Sequence, residues 1–187
     1  ESGSGKSITA RAILNMVPRP GSINGGQILF NPDGLGQINL TSLDPRGKPI
    51  RKIRGGRIGM IFQEPMSSLS PIHTIGNQIS EVIQLHRNVD KKTARQMAIA
   101  ALAQVEIPKP EKAVDRYAFE YSGGMRQRAM IAMALSCQPD VLIADEPTTA
   151  LDVTTQAEIL DLMKSLQREL NTAIMFITHD MGVVAEI

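Results

Sequence analysis

The sequence predicts an α/β fold built on a parallel sheet, and three stretches carry that prediction. VLIAD is a short, wholly apolar run ending in a carboxylate, and AIMFIT repeats its character further on. Such continuous runs mark strands buried on both faces. Between them Ile159, Leu160, Met163, Leu166 and Leu170 form a helical stripe, so strand, helix and strand form a right-handed crossover unit. The third stretch, SGSGKS at the very start, has the small residues of a phosphate-binding turn running into a helix.

Composition agrees with one substantial domain. The 187 residues are 42% hydrophobic and 21% charged, as in an ordinary globular chain. A net charge of +1, 3% aromatic residues and no Trp argue against nucleic acid as a partner. The single cysteine, Cys137, excludes an internal disulfide framework and fits a reducing compartment. One Cys and three scattered His build no metal cluster. No apolar stretch approaches the roughly 18 residues that span a bilayer, and no signal peptide is visible. The chain opens at Glu1 without an initiator Met and closes in MGVVAEI, which reads as helix. Both ends are therefore expected to be cuts in a longer chain.

Taken in order, SITARAILNMV is expected to be a helix with Ile8, Ala12 and Ile13 on one face, stopped by PRPG. GQILF, QINL and RIGMIF read as strands punctuated by turn residues. Before the last of these lies a polar segment containing Arg46, Lys48, Arg51, Lys52, Arg54 and Arg57; it reads as a solvated loop or helix face, or alternatively as a phosphate patch. From Thr74 to Cys137 the pattern is helical, with TIGNQISEVIQLH and KKTARQMAIAALAQV amphipathic and GGMRQRAMIAMALSC richly apolar. VLIAD, the long helix and AIMFIT complete the chain.

Three local patterns carry chemistry. A full phosphate loop reads G-x-x-x-x-G-K-[ST]; here Gly5, Lys6 and Ser7 fill the last three places, and the first glycine would precede Glu1. Backbone N–H groups of such a loop curl around phosphate oxygens, Lys6 neutralises the β/γ-phosphates and the Ser7 hydroxyl binds Mg2+. A flexible Gly/Ser linker is the local alternative. In VLIADEP, Asp145 and Glu146 follow an apolar strand, where carboxylates are costly unless paired or metal-bound, and where a parallel sheet opens its ligand crevice. Asp145 would hold the Mg2+ shell and Glu146 would polarise a water; the alternative is an exposed acid pair before Pro147. In YSGGMRQR, Ser122 is a helix N-cap followed by Gly123 and Gly124, which is an anion site or simply a cap. Phosphate loop, SGGMRQR, ADEP, ALD and THD in this order are more than coincidence.

With these motifs the chain resembles the nucleotide-binding subunit of an ABC transporter over essentially its full length. The signature motif matches Ser122, Gly123, Gly124, Met125, Arg126 and Gln127; the Q-loop glutamine matches Gln63, the D-loop Ala150, Leu151 and Asp152, and the switch histidine His179. The segments IRGGRIGMIFQEPMSSLSPIHTIGNQI and DEPTTALDVTTQAEILDLM are similar to those of peptide and nickel importers, in the dipeptide/oligopeptide branch. The sequence departs from the family in having Tyr121 where many members have Leu. The aromatic platform for adenine, upstream of the loop, has no counterpart here, and Tyr117, Phe119 and Tyr121 are expected to pack within the helical region instead.

The resemblance implies a P-loop NTPase (RecA-like) core with a parallel sheet, a small antiparallel β region and an inserted ABC-type helical subdomain. Within a single ABC ATPase domain over 1–187, it implies phosphate loop, β region and Q-loop in 1–66, helical subdomain with signature motif in 67–129, and the Walker B, D-loop and switch part in 130–187. ATP and Mg2+ are the implied cofactors. Ser2, Gly3, Ser4, Gly5, Lys6, Ser7 and Ile8 would bind nucleotide, and Ser7, Gln63 and Asp145 the metal. Glu146, His179 and Gln63 would be catalytic. Ser122, Gly123, Gly124, Met125 and Gln127 would contact ATP held by a partner subunit, and Asp152 the partner's phosphate loop. The partners implied are a second ATPase subunit (identical or a paralogue, head to tail), transmembrane permease subunits and, indirectly, an extracytoplasmic solute-binding protein, with no nucleic acid. The location implied is peripheral, at the cytoplasmic face of the cell membrane. The activity implied is ATP hydrolysis powering peptide uptake; the alternatives are an importer for nickel or another small solute, and a soluble non-transport ABC ATPase.

Overall fold

The computed structural model describes residues 4–32, 36–63, 68–149 and 151–186. Three strands, β3 (Ile58–Ile61), β4 (Val141–Asp145) and β5 (Ala173–Ile177), form a parallel sheet in the order β3-β4-β5, with Ile58 opposite Val141 and Asp145 opposite Ile177. β4 is central. Its side chains alternate between two cores: Leu142 and Ala144 face one, Ile143 the other, and all three are fully buried. Helix α7 (Val153–Leu170) links β4 to β5 and buries Ile159, Leu160, Leu162, Met163 and Leu166, so the expected crossover unit is present. β5 differs from expectation. It is an edge strand among the described residues, as β3 is, but of its five residues only Ile177 is buried, whereas β3 buries three of four.

Helix α1 (Lys6–Ile13) begins directly after Gly5, whose φ of 88° is left-handed and suits glycine. The expected apolar stripe is rotated from the one observed. Ala10 and Leu14 are buried, Ile13 packs beside them, and Ile8 is 47% exposed. The reason is spacing: Ser7, Ala10 and Leu14 share a face at i, i+3 and i+7, and Ser7 is tied to the end of β4. β1 (Leu29–Phe30) and β2 (Ile38–Asn39) form a two-stranded antiparallel sheet. The Lys/Arg-rich segment contains a short helix, α2 (Lys48–Ile53), which buries Ile50 and Ile53 and leaves its cations outside.

The helical half comprises α3 (Ile75–His86), α4 (Lys91–Gln104), α5 (Pro110–Ala113) and α6 (Gly123–Leu135). Thr74 caps α3 by accepting from Asn77 N, and Asp90 caps α4 by accepting from Thr93 N. Ile75, Ile79 and Ile83 meet Ala94, Ala98 and Leu102 in one core. Gly76 permits a close approach: a Cβ there would lie 2.2 Å from Val114 Cγ2. Helix α6 joins this half to the sheet. Arg128, midway along it, donates to Val105 O beyond α4, while the Ala134 carbonyl, near its end, lies over Gly59 of β3. The division expected at 129/130 falls inside this helix, and the division at 66/67 lies outside the described residues. Tyr121 packs as expected, buried with its Oη donating to Ala113 O at 2.9 Å. Tyr117 and Phe119 do not. They stack on each other at 5.4 Å on the surface, with Phe119 62% exposed. Helix α8 (Met181–Glu186) follows β5. No helix among the described residues is long and apolar enough to cross a membrane.

Candidate active site

The carboxyl ends of the three parallel strands bring together residues far apart in sequence, as an open α/β sheet does at its ligand crevice. Gln63 lies just beyond β3, Asp145 ends β4, Glu146 follows it, and His179 stands just beyond β5. Helix α1 brings Ser7 to the same edge.

Glu146 is the centre of the cluster. Its φ of 49° is left-handed, a conformation that costs a non-glycine residue about 1 kcal/mol or more and that collects at functional sites. The turn is held by Glu146 N donating to Ile177 O at 2.8 Å. It aims the carboxylate at three partners: Gln63 Nε2 and Thr149 Oγ1 each donate to Oε2 at 2.9 Å, and His179 Nδ1 lies 3.0 Å from Oε1. Burial would raise this carboxyl. Hydrogen bonds from Thr149 and His179, with the charges of His179 and Lys6, outweigh it and hold the group below its ordinary value. It is therefore a carboxylate at neutral pH, able to accept a proton. Thr149 was not among the expected residues. Its signal was present in EPTT, since a hydroxyl three residues beyond a turn carboxylate can reach back to it.

Asp145 is buried, 3% exposed, and accepts from Ser7 Oγ at 3.0 Å. The donor pair suits Mg2+, since a hydroxyl and a carboxylate side by side are hard oxygen ligands. Among the described residues no group of three or more His, Cys, Asp or Glu could enclose a metal. Gly5 opens the helix and Lys6 Nζ donates to Ser4 Oγ at 3.2 Å. Ser2 and Gly3 lie outside the described residues, and Ile8 turns its side chain to solvent, so of Ile8 the loop has only the backbone.

The signature segment is split by helical period. Ser122 is exposed and caps α6, its Oγ accepting from Met125 N at 3.3 Å. Gly123 is exposed as well. Met125 packs against the helical core, and Gln127 is 2% exposed with its Nε2 unpaired. The Gln127 side chain is turned inward, whereas Met125, two residues earlier and so on another side of the helix, is only partly buried. Ala150 lies outside the described residues. Asp152 caps α7, accepting Thr155 N at 3.0 Å and Thr155 Oγ1 at 2.7 Å. The backbone N–H of Thr155, then its hydroxyl, hold the Asp152 carboxyl below its ordinary value. Thr155 also reaches Gly124, where a Cβ would sit 2.9 Å from its Cγ2. The starts of α6 and α7 therefore touch through a glycine and a methyl group, a contact the sequence pattern alone does not reveal.

The chain as a whole is similar to several known proteins. The sequence pattern of the family described as ABC transporter matches residues 1–149. Over its whole length the chain is 52% identical to the oligopeptide transport ATP-binding protein OppD of Bacillus subtilis and covers 51% of it. It is 53% identical to the glutathione import ATP-binding protein GsiA of Pectobacterium atrosepticum and covers 30% of that protein. The chain thus spans about half the length of the first relative and less of the second. Among solved structures, 98% of the chain superposes on 73% of the ATP-binding cassette MJ0796, in a dimeric post-hydrolysis state bound to ADP and Pi, with a TM-score of 0.77 and 30% identity.

Proposed function

The chain belongs to the ABC transporter family, and on that premise we propose that it forms the ATP-binding and ATP-hydrolysing core of an importer ATPase that powers uptake of di- or oligopeptides through a membrane permease. The observation that carries the ATPase reading is the convergence of Gln63, Thr149 and His179 on the carboxylate of Glu146. The peptide reading rests on the relatives named for oligopeptide and glutathione import, since glutathione is itself a small peptide.

Phosphoryl transfer to water asks for positioning and charge neutralisation rather than covalent chemistry. Ser4, Gly5, Lys6, Ser7 and the amide of Ile8 hold the phosphates, with Ser2 and Gly3 completing the loop. Glu146 orients the attacking water and accepts its proton at an Oε atom. Gln63 and His179, on either side of that carboxylate, fix its direction and the water's. Ser7, Asp145 and Gln63 would hold Mg2+, which would supply charge neutralisation at the phosphates.

Ser122 and Gly123 face outward at the start of α6, which supports a second ATPase subunit packed head to tail so that this edge closes over the partner's nucleotide. The related cassette is a dimer. Asp152 sits on the same face and meets the partner's phosphate loop through its backbone and its capped carboxylate. Residues 1–66, 67–129 and 130–187 serve as nucleotide loop and β region, helical subdomain, and water-activating part. The assembly lies at the cytoplasmic face of the membrane with permease subunits against the helical part, and a solute-binding protein delivers the cargo. The test is reconstitution of the whole ATPase with its permease. Peptide-stimulated phosphate release that Glu146→Gln abolishes is the expected result; stimulation by nickel in place of peptides would overturn the substrate assignment and leave the ATPase intact.

A further inference from the structure

The cationic segment before β3 has no role in the site above. It lies beyond the amino ends of the strands, at the opposite edge of the sheet. On α2, Lys48, Arg51 and Lys52 occupy i, i+3 and i+4, so three like charges share one helical face. All three are exposed, and none makes an ion pair or side-chain hydrogen bond with another described residue. Such a face repels itself, and Arg51 contributes to holding the neighbouring Arg54 guanidinium below its ordinary value, after burial as the larger cause.

The platform beneath these cations is rigid. Ile50 and Ile53 are buried, and Arg54 donates to three carbonyls, from Leu14, Asn15 and Pro45, at 2.6–2.9 Å. Arg54 is therefore a clamp and not a free charge. Arg57 is likewise taken by a bidentate pair with Asp140, and Arg87 by the Cys137 carbonyl and Gln138. What remains uncompensated in this segment is the trio on α2, together with Arg46 before it, which lies outside the lining of the cleft that the trio overhangs.

These cations overhang a cleft of about 410 Å³ between α2 and the end of α3, whose other wall is Leu85 and His86. A second cavity of about 330 Å³ shares Lys52, Leu85 and His86 and ends at Arg87 and Cys137. The cleft owes its depth to two glycines. A Cβ on Gly56 would lie 2.9 Å from His86 Nδ1 and one on Gly55 3.0 Å from Nε2, so the imidazole lies flat on bare backbone. Among the described residues no carboxylate lines either cavity; Asp140, ion-paired with Arg57 in the wall of the second, Glu81, one turn before Leu85, and Asp44, before α2, stand outside the lining. Leu85 is 72% exposed, an apolar surface at the mouth.

We propose that the cleft between α2 and the end of α3 is a second anion site, which takes a small soluble phosphorylated compound: its phosphates on Lys48, Arg51 and Lys52, its organic body against Leu85 and His86. A multiply charged anion relieves the repulsion along α2, and the fixed platform lets it bind without reordering the helix. This goes beyond the ATPase reading and does not depend on it, because no residue is shared with the nucleotide loop.

The test is a titration of the 15N-labelled chain with sodium pyrophosphate at constant ionic strength, followed by backbone amide shifts. Saturable shifts are expected at Gly55, Gly56 and His86, separate from any at Gly5, Lys6 and Ser7. The triple variant Lys48→Gln, Arg51→Gln, Lys52→Gln should weaken the first set by about tenfold or more, with the second set unmoved and the rest of the spectrum reporting an intact fold. Lys6→Ala should do the reverse, so failure of the nucleotide loop is told apart from failure of the cleft. The proposal is overturned by absence of saturable shifts at Gly55, Gly56 and His86, by equal shifts with sodium chloride alone, or by an unchanged midpoint in the triple variant.

Discussion

The cluster around Glu146 and the paired helix starts at Ser122 and Asp152 use the same kinds of side chain, yet they are satisfied in opposite ways. At Glu146, groups from separate segments converge: Gln63 and His179 meet on one carboxylate, with Thr149 added from its own turn, and Ser7 reaches the adjacent Asp145. At the helix starts each polar group is answered within three residues, Ser122 by Met125 N and Asp152 by Thr155. Long-range convergence requires the whole fold and builds chemistry inside one chain. Local capping requires only a helix, and leaves its outer face free for a second molecule. The first region should therefore respond to mutation in rate, and the second in stability and assembly.

The largest effect is expected at the centre of the convergent cluster. In the whole protein Glu146→Gln should lower phosphate release by about 10²–10⁴-fold, the contribution of a positioned base, with ATP affinity retained. Undiminished turnover would remove Glu146 from the mechanism. The pH profile sharpens the same point. Since Glu146 is held below its ordinary value of 4.5, it stays ionised as pH falls through the range where a free carboxyl protonates. The acid limb of hydrolysis that belongs to Glu146 should thus lie below pH 4.5, measured as kcat/KM against pH, which reports the nucleotide-free protein, and stability linked to this carboxylate should be present above that value and lost as pH falls below it. Lys6→Ala should act earlier in the cycle, weakening ATP binding by about 10–100-fold, as loss of a charge-assisted phosphate contact does; equilibrium nucleotide titration reads it.

How much of this was legible in the sequence follows the same division. The strands VLIAD and AIMFIT, the long crossover helix and the order of motifs were legible because apolar periodicity and turn residues are local signals. The proximity of Ser7, Gln63, Asp145, Glu146 and His179 came from the resemblance, since no spacing in the chain states that strand ends meet. Three features were not legible. The buried face of α1 is set by where Ser7 must point, which depends on β4. Gln127 is buried because α6 packs on its neighbours, which a linear motif does not record. Thr155 serves both Asp152 and Gly124, and that contact exists only once two helices are packed.

The contact at Thr155 supplies the next test. Gly124→Ala brings a Cβ to 2.9 Å from Thr155 Cγ2, while alanine is the better helix former by up to about 1 kcal/mol. Overpacking of this sort costs about 1–3 kcal/mol, so a net loss of about 1 kcal/mol in denaturant unfolding is expected. Thr155→Ser removes the methyl and keeps the hydroxyl that Asp152 accepts. The double variant should recover most of the loss, with a coupling of about 1 kcal/mol in a double-mutant cycle. Additive effects would mean that the two helix starts do not press on each other.

The smallest effect on the isolated chain, and the most diagnostic, is expected at Ser122. Its cap bond to Met125 N is 3.3 Å long and lies in solvent, so Ser122→Ala should cost about 0.5–1 kcal/mol of stability, at the low end for an N-cap. Glycine tolerates the cap conformation nearly as well as serine, so Ser122→Gly should cost only a few tenths. If Ser122 were only a cap, the two variants would differ in ATPase activity of the whole protein as they differ in stability, with glycine close to wild type. If its hydroxyl meets nucleotide held by a second subunit, both variants lose activity together, because both lack the oxygen. Comparing unfolding and phosphate release for the same two substitutions therefore separates a residue that completes its own helix from one that completes its neighbour's site.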